Sequence, residues 1–303
     1  TRYFDRITRP EQIIQSFPAA VQTMIDPADC GPACISLCQD IQGQTFDYPE
    51  EFFKEKVHVI RRPRPDQFQT KEAANKIKSS KKPIIISGGG VFYSDAMEEL
   101  SKFAIKHNIP VTQTVMGYST MKKDHSHYAG QIGGLGGKNT NSLAKQTDLA
   151  IAVGTKLADF TTGSWANFEN ENFKLVSVNV SRFDANKHLA QAVVGDAKVS
   201  LEELSLALGD WKAEDDWNKK SQSELKVWND HVDKKSAPSN QEIPSYLQVI
   251  GSVYRNSDPS DIAVTAAGGL VGEVVQVWRP RELNTHETEW GFSCMSYEIS
   301  GAL

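Results

Sequence analysis

The chain has 303 residues, a formal net charge of −5 at pH 7 and 39% hydrophobic residues. This length predicts two domains, or one domain with extensions. The mild acidity and the lack of a basic stripe argue against a nucleic-acid binder, and no apolar run approaches the length needed to span a membrane. Nothing resembles a signal peptide, so the sequence predicts a cytoplasmic protein without nucleic-acid or membrane partners.

The amino-terminal stretch predicts one helix and one strand. Pro10 suits the first turn of a helix, and the apolar spacing over residues 13–24 gives that helix one hydrophobic face. Residues 31–38 are typical of a strand. Because these elements cannot bury a core alone, residues 1–55 are interpreted as the end of a domain, followed by a linker at 56–65.

The four cysteines, Cys30, Cys34, Cys38 and Cys294, are too few for a disulfide scaffold. The spacing of the first three invites a metal-site interpretation. Residues four apart on a strand share a face but lie too far apart to close around one ion. The sequence therefore favours buried thiols over a metal cluster.

The stretch Lys82–Val91 organises the middle of the chain. Ile84–Ile86 form an apolar β-branched run that predicts a strand buried on both faces. Gly88–Gly90 allow a tight turn or a close backbone approach. Ser94 or Asp95 is expected to cap the following helix, which leads into another strand and completes a βαβ unit.

More strands alternate with helices across residues 66–210. Apolar runs predict strands at 148–154 and 173–179 and a short one at 194–197, whereas the region between residues 115 and 137 is predicted to be a long loop. This alternation predicts an α/β fold with a Rossmann-like parallel sheet of about six strands.

Two features of this domain leave a choice of interpretation. Gly88–Gly90 do not form a dinucleotide fingerprint, because the third glycine would fall at Tyr93 and no acidic residue ends the next strand. A plain turn and a nucleotide pocket both remain open. His125 and His127 could bind a metal, but an exposed loop pair is favoured because no third ligand is placed nearby.

The carboxyl-terminal part predicts the beginning of a further domain. Residues 211–239 form a charged connecting segment, and 240–303 contain a helix, a strand at 261–265 and another glycine turn. The chain begins with Thr1 rather than Met, and residues 296–303 are typical of an unfinished helix. Both ends are therefore interpreted as cut.

The ordered series KKPIIISGGGV, IPVTQTVMGYSTMKKDHSHYAGQIGGLGG, TDLAIAVGTKLADFTTG, FKLVSVNVSRFDANKH, VVGDAKVSLEEL and AVTAAGG resembles one known family. The chain is similar over nearly its whole length to the thiamin-diphosphate-dependent decarboxylase and acetolactate-synthase superfamily. The resemblance implies a central Rossmann-like domain flanked by incomplete pieces of two thiamin-diphosphate-binding α/β domains. Residues 1–55 would end the pyrimidine-binding domain, and 240–303 would begin the diphosphate-binding domain.

The resemblance also implies cofactors and a site. The cofactors would be thiamin diphosphate and Mg²⁺, with FAD or ADP as an open question for the central domain. The family's activating glutamate and its metal-binding motif would both lie outside these 303 residues, so the chain alone is expected to be inactive. The cofactor-binding positions that match here are Ala267, Gly268, Gly269 and Leu270 for the diphosphate and Cys294 and Met295 for the pyrimidine side.

Met295 would be the bulky side chain that keeps the cofactor bent, with ordinary core packing as the alternative. Ser296 and Glu298 depart from the glycines common in the family at these positions. The resemblance implies cleavage of a carbon–carbon bond next to a carbonyl, specifically the hydrolytic ring opening of a cyclic trihydroxy diketone in myo-inositol breakdown. The alternative is an acetolactate-synthase-like or other 2-keto acid decarboxylase or carboligase, with the central domain a nucleotide-binding or purely structural module. The implied partners are a small-molecule substrate and further copies of the chain, as a homodimer or homotetramer.

Overall fold

Two parallel strands and a helix form the amino-terminal unit. The computed structural model describes residues 1–289 and 291–303 and divides them into two units, Thr1–Pro63 and Arg64–Leu303. The elements of the first unit are β1 (Tyr3–Ile7), α1 (Ile13–Met24), β2 (Ala33–Leu37) and α2 (Gln39–Gln42), with 3-10 turns at Pro10–Gln12 and Glu50–Phe53. The sequence analysis missed β1, which pairs with β2 from Tyr3 opposite Ala33 to Ile7 opposite Leu37.

The predicted apolar face of α1 is partly buried. Phe17 and Met24 are each 51% accessible, whereas Ala20 is buried and the remaining members, Ile13, Ile14 and Val21, are half-buried. The expectation for the cysteines was wrong. The cysteines are not buried thiols, since Cys30, Cys34 and Cys294 are exposed and Cys38 is half-buried. Cys38 also lies beyond the end of β2, where its sulfur accepts a hydrogen bond from Arg6 Nε at 3.2 Å. An apolar sequence context therefore does not establish burial.

The second unit contains the six-stranded sheet and all later elements. Among the described residues its helices and strands, in chain order, are α3 (Gln67–Lys78), β3 (Pro83–Ser87), α4 (Gly89–Tyr93), α5 (Met97–His107), β4 (Val111–Gln113), β5 (Tyr128–Gln131), α6 (Lys138–Gln146), β6 (Leu149–Val153), α7 (Asp159–Thr162), β7 (Lys174–Asn179), α8 (Arg182–Ala185), β8 (Gln191–Val194), α9 (Ala197–Leu208), α10 (Asp215–Ser236), α11 (Tyr246–Asn256), β9 (Ala263–Thr265), α12 (Gly269–Val277), β10 (His286–Thr288) and α13 (Tyr297–Gly301).

The central sheet is parallel throughout and has the order β5-β4-β3-β6-β7-β8. Every residue of β3 and β6 is buried, which explains their continuous apolar runs. The strand order reverses between β3 and β6, so this pair marks the topological switch point. The predicted α/β class and Rossmann-like sheet are confirmed.

The glycines after β3 allow a close backbone approach at this switch point. The Gly90 N–H donates to the Gly154 carbonyl at 2.9 Å, and a Cβ added to Gly90 would lie 2.6 Å from the Gly154 Cα. Gly154 itself adopts a φ of +62°, a conformation that favours glycine. Neither Gly88 nor Gly90 has a positive φ, so close packing is the reason for glycine at both positions.

Several local predictions in this unit were wrong. The loop expected between residues 115 and 137 contains β5, whose Tyr-Ala-Gly-Gln sequence lacks a β-branched run. Ser94 and Asp95 do not cap α5, because the N-cap of α5 is Ala96. Ser94 is instead the C-cap of α4. The strand expected at 194–197 is β8, which lies earlier, at Gln191–Val194.

The long helix α10 packs against the amino end of the sheet and leads to the last segment. Trp217 is buried, and its indole N–H donates to the Pro83 carbonyl at 2.8 Å. The last segment has its own apolar cluster, formed by Val232, Ile250, Tyr254, Val274, Val277 and Trp278. The domain boundaries predicted at residues 55, 65, 210 and 239 remain predictions.

The contact between the two glycine turns gives a direct stability test. We expect Gly90→Ala to lower the free energy of unfolding by about 1–3 kcal/mol, the usual range for overpacking, because its methyl group would meet the Gly154 backbone. Urea denaturation measures the change. Gly134→Ala is the matched control, since the nearest atom to an added Cβ lies 3.8 Å away. Equal losses in both variants would contradict the packing argument.

Candidate functional site

The turn after β9 is open and formed by glycine. Gly268 has a φ of +134°, which an L side chain rarely adopts, and Gly269 is the first residue of α12. A Cβ added to either glycine would meet nothing within 4 Å. Ala267 is half-buried, and the Leu270 side chain is 48% exposed. At Gly268 and Gly269 the turn therefore presents backbone rather than side chains to its surroundings.

The second predicted stretch follows β10, which pairs in parallel with β9. Thr288 lies opposite Thr265, so both strands end at the same edge of this small sheet. Cys294 and Met295 lie in the following loop, where both are exposed. Met295 is 77% accessible, so the core-packing alternative for its side chain does not hold in this chain.

Carboxylates fix the backbone around this loop. Glu289 accepts hydrogen bonds from the backbone N–H groups of Phe292, at 2.7 Å, and Cys294, at 2.9 Å. These donors, that of Cys294 first, hold the pKa of the Glu289 carboxyl below its usual value. Glu298 accepts a hydrogen bond from the Ala266 N–H at 3.1 Å, which connects α13 to the end of β9. The two predicted stretches thus follow strands that end at one edge, and the Glu298–Ala266 contact joins residues that flank them.

This arrangement fits a diphosphate-containing cofactor. The first N–H groups of a helix have no partner within the helix, and such groups with their dipole favour an anion. An open glycine turn lets an anion approach that backbone, and the exposed Met295 offers an apolar contact for a ring. Ala267, Gly268, Gly269 and Leu270 would face the diphosphate. Within the described part of the chain, no three His, Cys, Asp or Glu residues are grouped to hold a metal ion.

The other glycine turn, at the switch point, has a structural explanation. The backbone of Gly154 fills the space beside Gly88 and Gly90, and the Met116 carbonyl lies 3.0 Å from a Cβ added to Gly89. Contacts within the protein are therefore sufficient to account for all three glycines. This observation favours the structural interpretation of the central domain over a nucleotide pocket at this turn.

The histidine pair is not the exposed pair that the sequence predicted. His127 is only 7% accessible, and its Nε2 lies 3.0 Å from Asn108 Oδ1. His125 Nε2 lies 2.9 Å from Ser101 Oγ. Both rings therefore have a protein partner at Nε2.

Comparison with known proteins agrees with these observations. Residues 70–204 match the model of the thiamine pyrophosphate enzyme central domain. The chain is also similar to three bacterial proteins named 3D-(3,5/4)-trihydroxycyclohexane-1,2-dione hydrolase. The predicted resemblance to thiamine pyrophosphate enzymes is confirmed.

The similarity to these relatives extends over the whole chain. The Clostridium perfringens hydrolase is 37% identical over 325 residues, covering 100% of this chain and 51% of the relative. The Clostridium tetani hydrolase is 38% identical, with 100% and 51% covered, and the Geobacillus thermodenitrificans hydrolase is 38% identical, with 100% and 50% covered. The chain therefore spans about half the length of the curated relatives it matches.

Sequence reasoning missed the two supporting carboxylates. Glu289 was not singled out, and Glu298 was noted only as a departure from a family glycine. The Glu298 contact joins positions 32 residues apart, so no local pattern could have predicted it. Ser296 shows why the family favours glycine there, since its φ is +76°.

His127 gives a prediction about pH. Burial, and then the neighbouring His125, lower the pKa of His127 from 6.5 to about 4. Because the pKa of His127 is lower in the folded state, the unfolded chain binds the proton at a higher pH than the folded chain does. The contribution of neutral His127 to the free energy of unfolding is therefore fully present above pH 6.5 and is lost as the pH falls towards 4. We expect His127→Gln to reduce the acid-induced decrease in the free energy of unfolding by roughly 1–3 kcal/mol.

Denaturant titrations at several pH values in this window measure the difference. His125 and His286 also have pKa values lowered by burial, so the comparison with the unmodified protein isolates the His127 contribution. His58→Gln, at an exposed position, is the control. A pH dependence that His127→Gln leaves unchanged would contradict the burial argument.

Proposed function

We propose that this protein performs thiamin-diphosphate-dependent hydrolysis of a carbon–carbon bond next to a carbonyl, with trihydroxycyclohexane-1,2-dione of myo-inositol catabolism as the substrate. The observation that carries the proposal is the 37% identity to the Clostridium perfringens hydrolase across the whole of this chain. The open Gly268–Gly269 turn supports it, because a diphosphate group needs such access to backbone N–H groups.

When bound, the cofactor supplies an electron sink for the cleaved bond. The residues of this chain would bind and orient it. Backbone groups from Ala267 to Leu270 would hold the diphosphate, while Cys294 and Met295 would lie beside the pyrimidine. The exposed Met295 side chain would offer an apolar contact to the rings of the cofactor and would help to orient them.

The remaining proposals concern assembly. Mg²⁺ would accompany the diphosphate, and the protein would act as a cytoplasmic homodimer or homotetramer on a small-molecule substrate. None of the helices in the described part of the chain is long and apolar enough to cross a membrane. The proposed division is the end of the pyrimidine-binding domain at 1–55, a linker at 56–65, the central domain at 66–210, a connecting segment at 211–239 and the start of the diphosphate-binding domain at 240–303.

A chimera tests the proposed reaction. This chain would replace the matching segment of the Clostridium perfringens hydrolase, and ring opening of trihydroxycyclohexane-1,2-dione would be followed with and without thiamin diphosphate. We expect ring opening that requires the cofactor. Gly268→Val should reduce it about tenfold or more, because a β-branched residue is strained at a φ of +134°.

Pyruvate decarboxylation and the secondary structure of the chimera are measured in parallel. A folded chimera that binds thiamin diphosphate but decarboxylates pyruvate instead of opening the ring would support the 2-keto acid alternative. A folded chimera with no affinity for the cofactor would overturn the proposal.

Met295→Ala separates cofactor contact from stability. Because the Met295 side chain is 77% exposed, we expect its removal to change the free energy of unfolding by no more than about 0.5 kcal/mol. Met121→Ala, at a position 2% exposed, should cost about 2–5 kcal/mol. In the chimera, Met295→Ala should raise the Kd for thiamin diphosphate in calorimetry. Unchanged affinity would remove Met295 from the proposed site.

A further inference from the structure

Two glutamates near the candidate site bind backbone N–H groups instead of cations. Among residues 1–289 and 291–303, neither Glu289 nor Glu298 forms an ion pair with a lysine or arginine. Glu289 instead accepts from Phe292 N and Cys294 N. Hydrogen bonds with a charged partner are about twice as strong as neutral ones, so these contacts are suited to fixing a backbone path.

The loop between these glutamates needs such fixing. Ser293 and Ser296 flank Cys294 and Met295, and both adopt a positive φ, +55° and +76°. Left-handed conformations are unfavourable for residues with a Cβ and persist only where the surroundings determine them. The Glu289 carboxylate accepts a hydrogen bond from the N–H group of Cys294, which lies between the two serines.

Glu298 acts at the other side of the loop. Its partner, Ala266, is fully buried and immediately precedes the Ala267–Leu270 turn. Since α13 begins at Tyr297, the contact ties this short helix to the end of β9. A third acid, Glu287, accepts from the Tyr297 hydroxyl at 3.2 Å and adds a link to the same helix.

We propose that Glu289 and Glu298 are positioning residues that hold the Cys294–Met295 loop against the Ala267–Leu270 turn. This inference rests on the proposed function in naming thiamin diphosphate as the group that the two stretches would share. Glu289 would set the conformation of the loop, and Glu298 would set its place beside the turn. Neither glutamate need contact the cofactor itself.

Cys294 is a built-in reporter for the position of the loop. Replacing Cys30, Cys34 and Cys38 by serine leaves it as the single thiol. None of the three replaced cysteines is fully buried, since Cys30 and Cys34 are exposed and Cys38 is half-buried. The rate of reaction with an aromatic disulfide reagent then reports the accessibility of Cys294 and its ionisation. Partial desolvation of the exposed Cys294 thiol, and then the charge of Glu289, raise the pKa of this thiol.

We expect Glu289→Gln to increase the labelling rate of Cys294 about fivefold near neutral pH, because a neutral amide forms weaker hydrogen bonds with the backbone N–H groups of the loop. The pH profile of labelling should also shift to lower pH, because the negative charge beside the thiol is removed. Glu298→Gln should leave the pH profile in place and increase amide hydrogen exchange at Ala266 and in α13 about fivefold. Glu242→Gln, at an exposed position, is the matched control. Rates and profiles equal to the control would overturn the proposal.

Cofactor binding is measured separately in the chimera. Glu289→Gln and Glu298→Gln should each raise the Kd for thiamin diphosphate about fivefold or more while leaving the melting temperature of the cofactor-free protein unchanged. The proposed function would be overturned if neither the unmodified chimera nor any variant binds the cofactor; altered labelling and exchange in the same experiment would still support the loop positioning. The positioning alone would be overturned if labelling, exchange and Kd are the same in the variants as in the unmodified protein.

Discussion

The close approach of the Gly88–Gly90 turn to Gly154 is the constraint on which the central sheet depends. After β3 the chain continues towards β4, and after β6 it continues towards β7, on the other side of the sheet. The turns that follow β3 and β6 therefore lie side by side at the carboxyl edge of the sheet. The Gly90 N–H donates to the Gly154 carbonyl, so the contact also pairs two backbone groups. Side chains at these positions would meet the facing backbone and strain the junction between the two strands.

The loop after β4 extends from this edge to the last segment and joins it to the sheet. Tyr118 is buried, donates to the Val275 carbonyl at 2.6 Å and packs its ring edge-on against His286, with centroids 5.2 Å apart. Burial holds the pKa of Tyr118 well above its usual range, so the hydroxyl stays protonated and remains a donor. Val275 belongs to α12, whose first residue is Gly269. The central domain therefore supports the candidate site even where it binds nothing itself.

How far the sequence predicts this structure depends on how local each signal is. Apolar runs predicted β3, β6 and β7, because a strand buried on both faces needs such residues. β5 was missed because it lacks a β-branched run and is buried through tertiary contacts, such as the one in which Gln222 Nε2 of α10 donates to the Tyr128 carbonyl at 2.9 Å. The Gly268–Gly269 turn could be predicted from sequence and resemblance. The Glu298 contact could not, since it depends on tertiary folding.

The charge pattern around the Gly268–Gly269 turn bears on the proposed cofactor. No lysine or arginine lies between residues 256 and 278, so this stretch itself offers a diphosphate backbone N–H groups and no cationic side chain. The nearby carboxylates of Glu289 and Glu298 would repel that anion if they were free. Their bonds to Phe292, Cys294 and Ala266 stabilise these charges but do not remove them. We propose that a divalent cation would balance this charge, since Mg²⁺ commonly binds through phosphate oxygens together with one or two carboxylates. The lack of lysine and arginine in residues 256–278 supports this proposal.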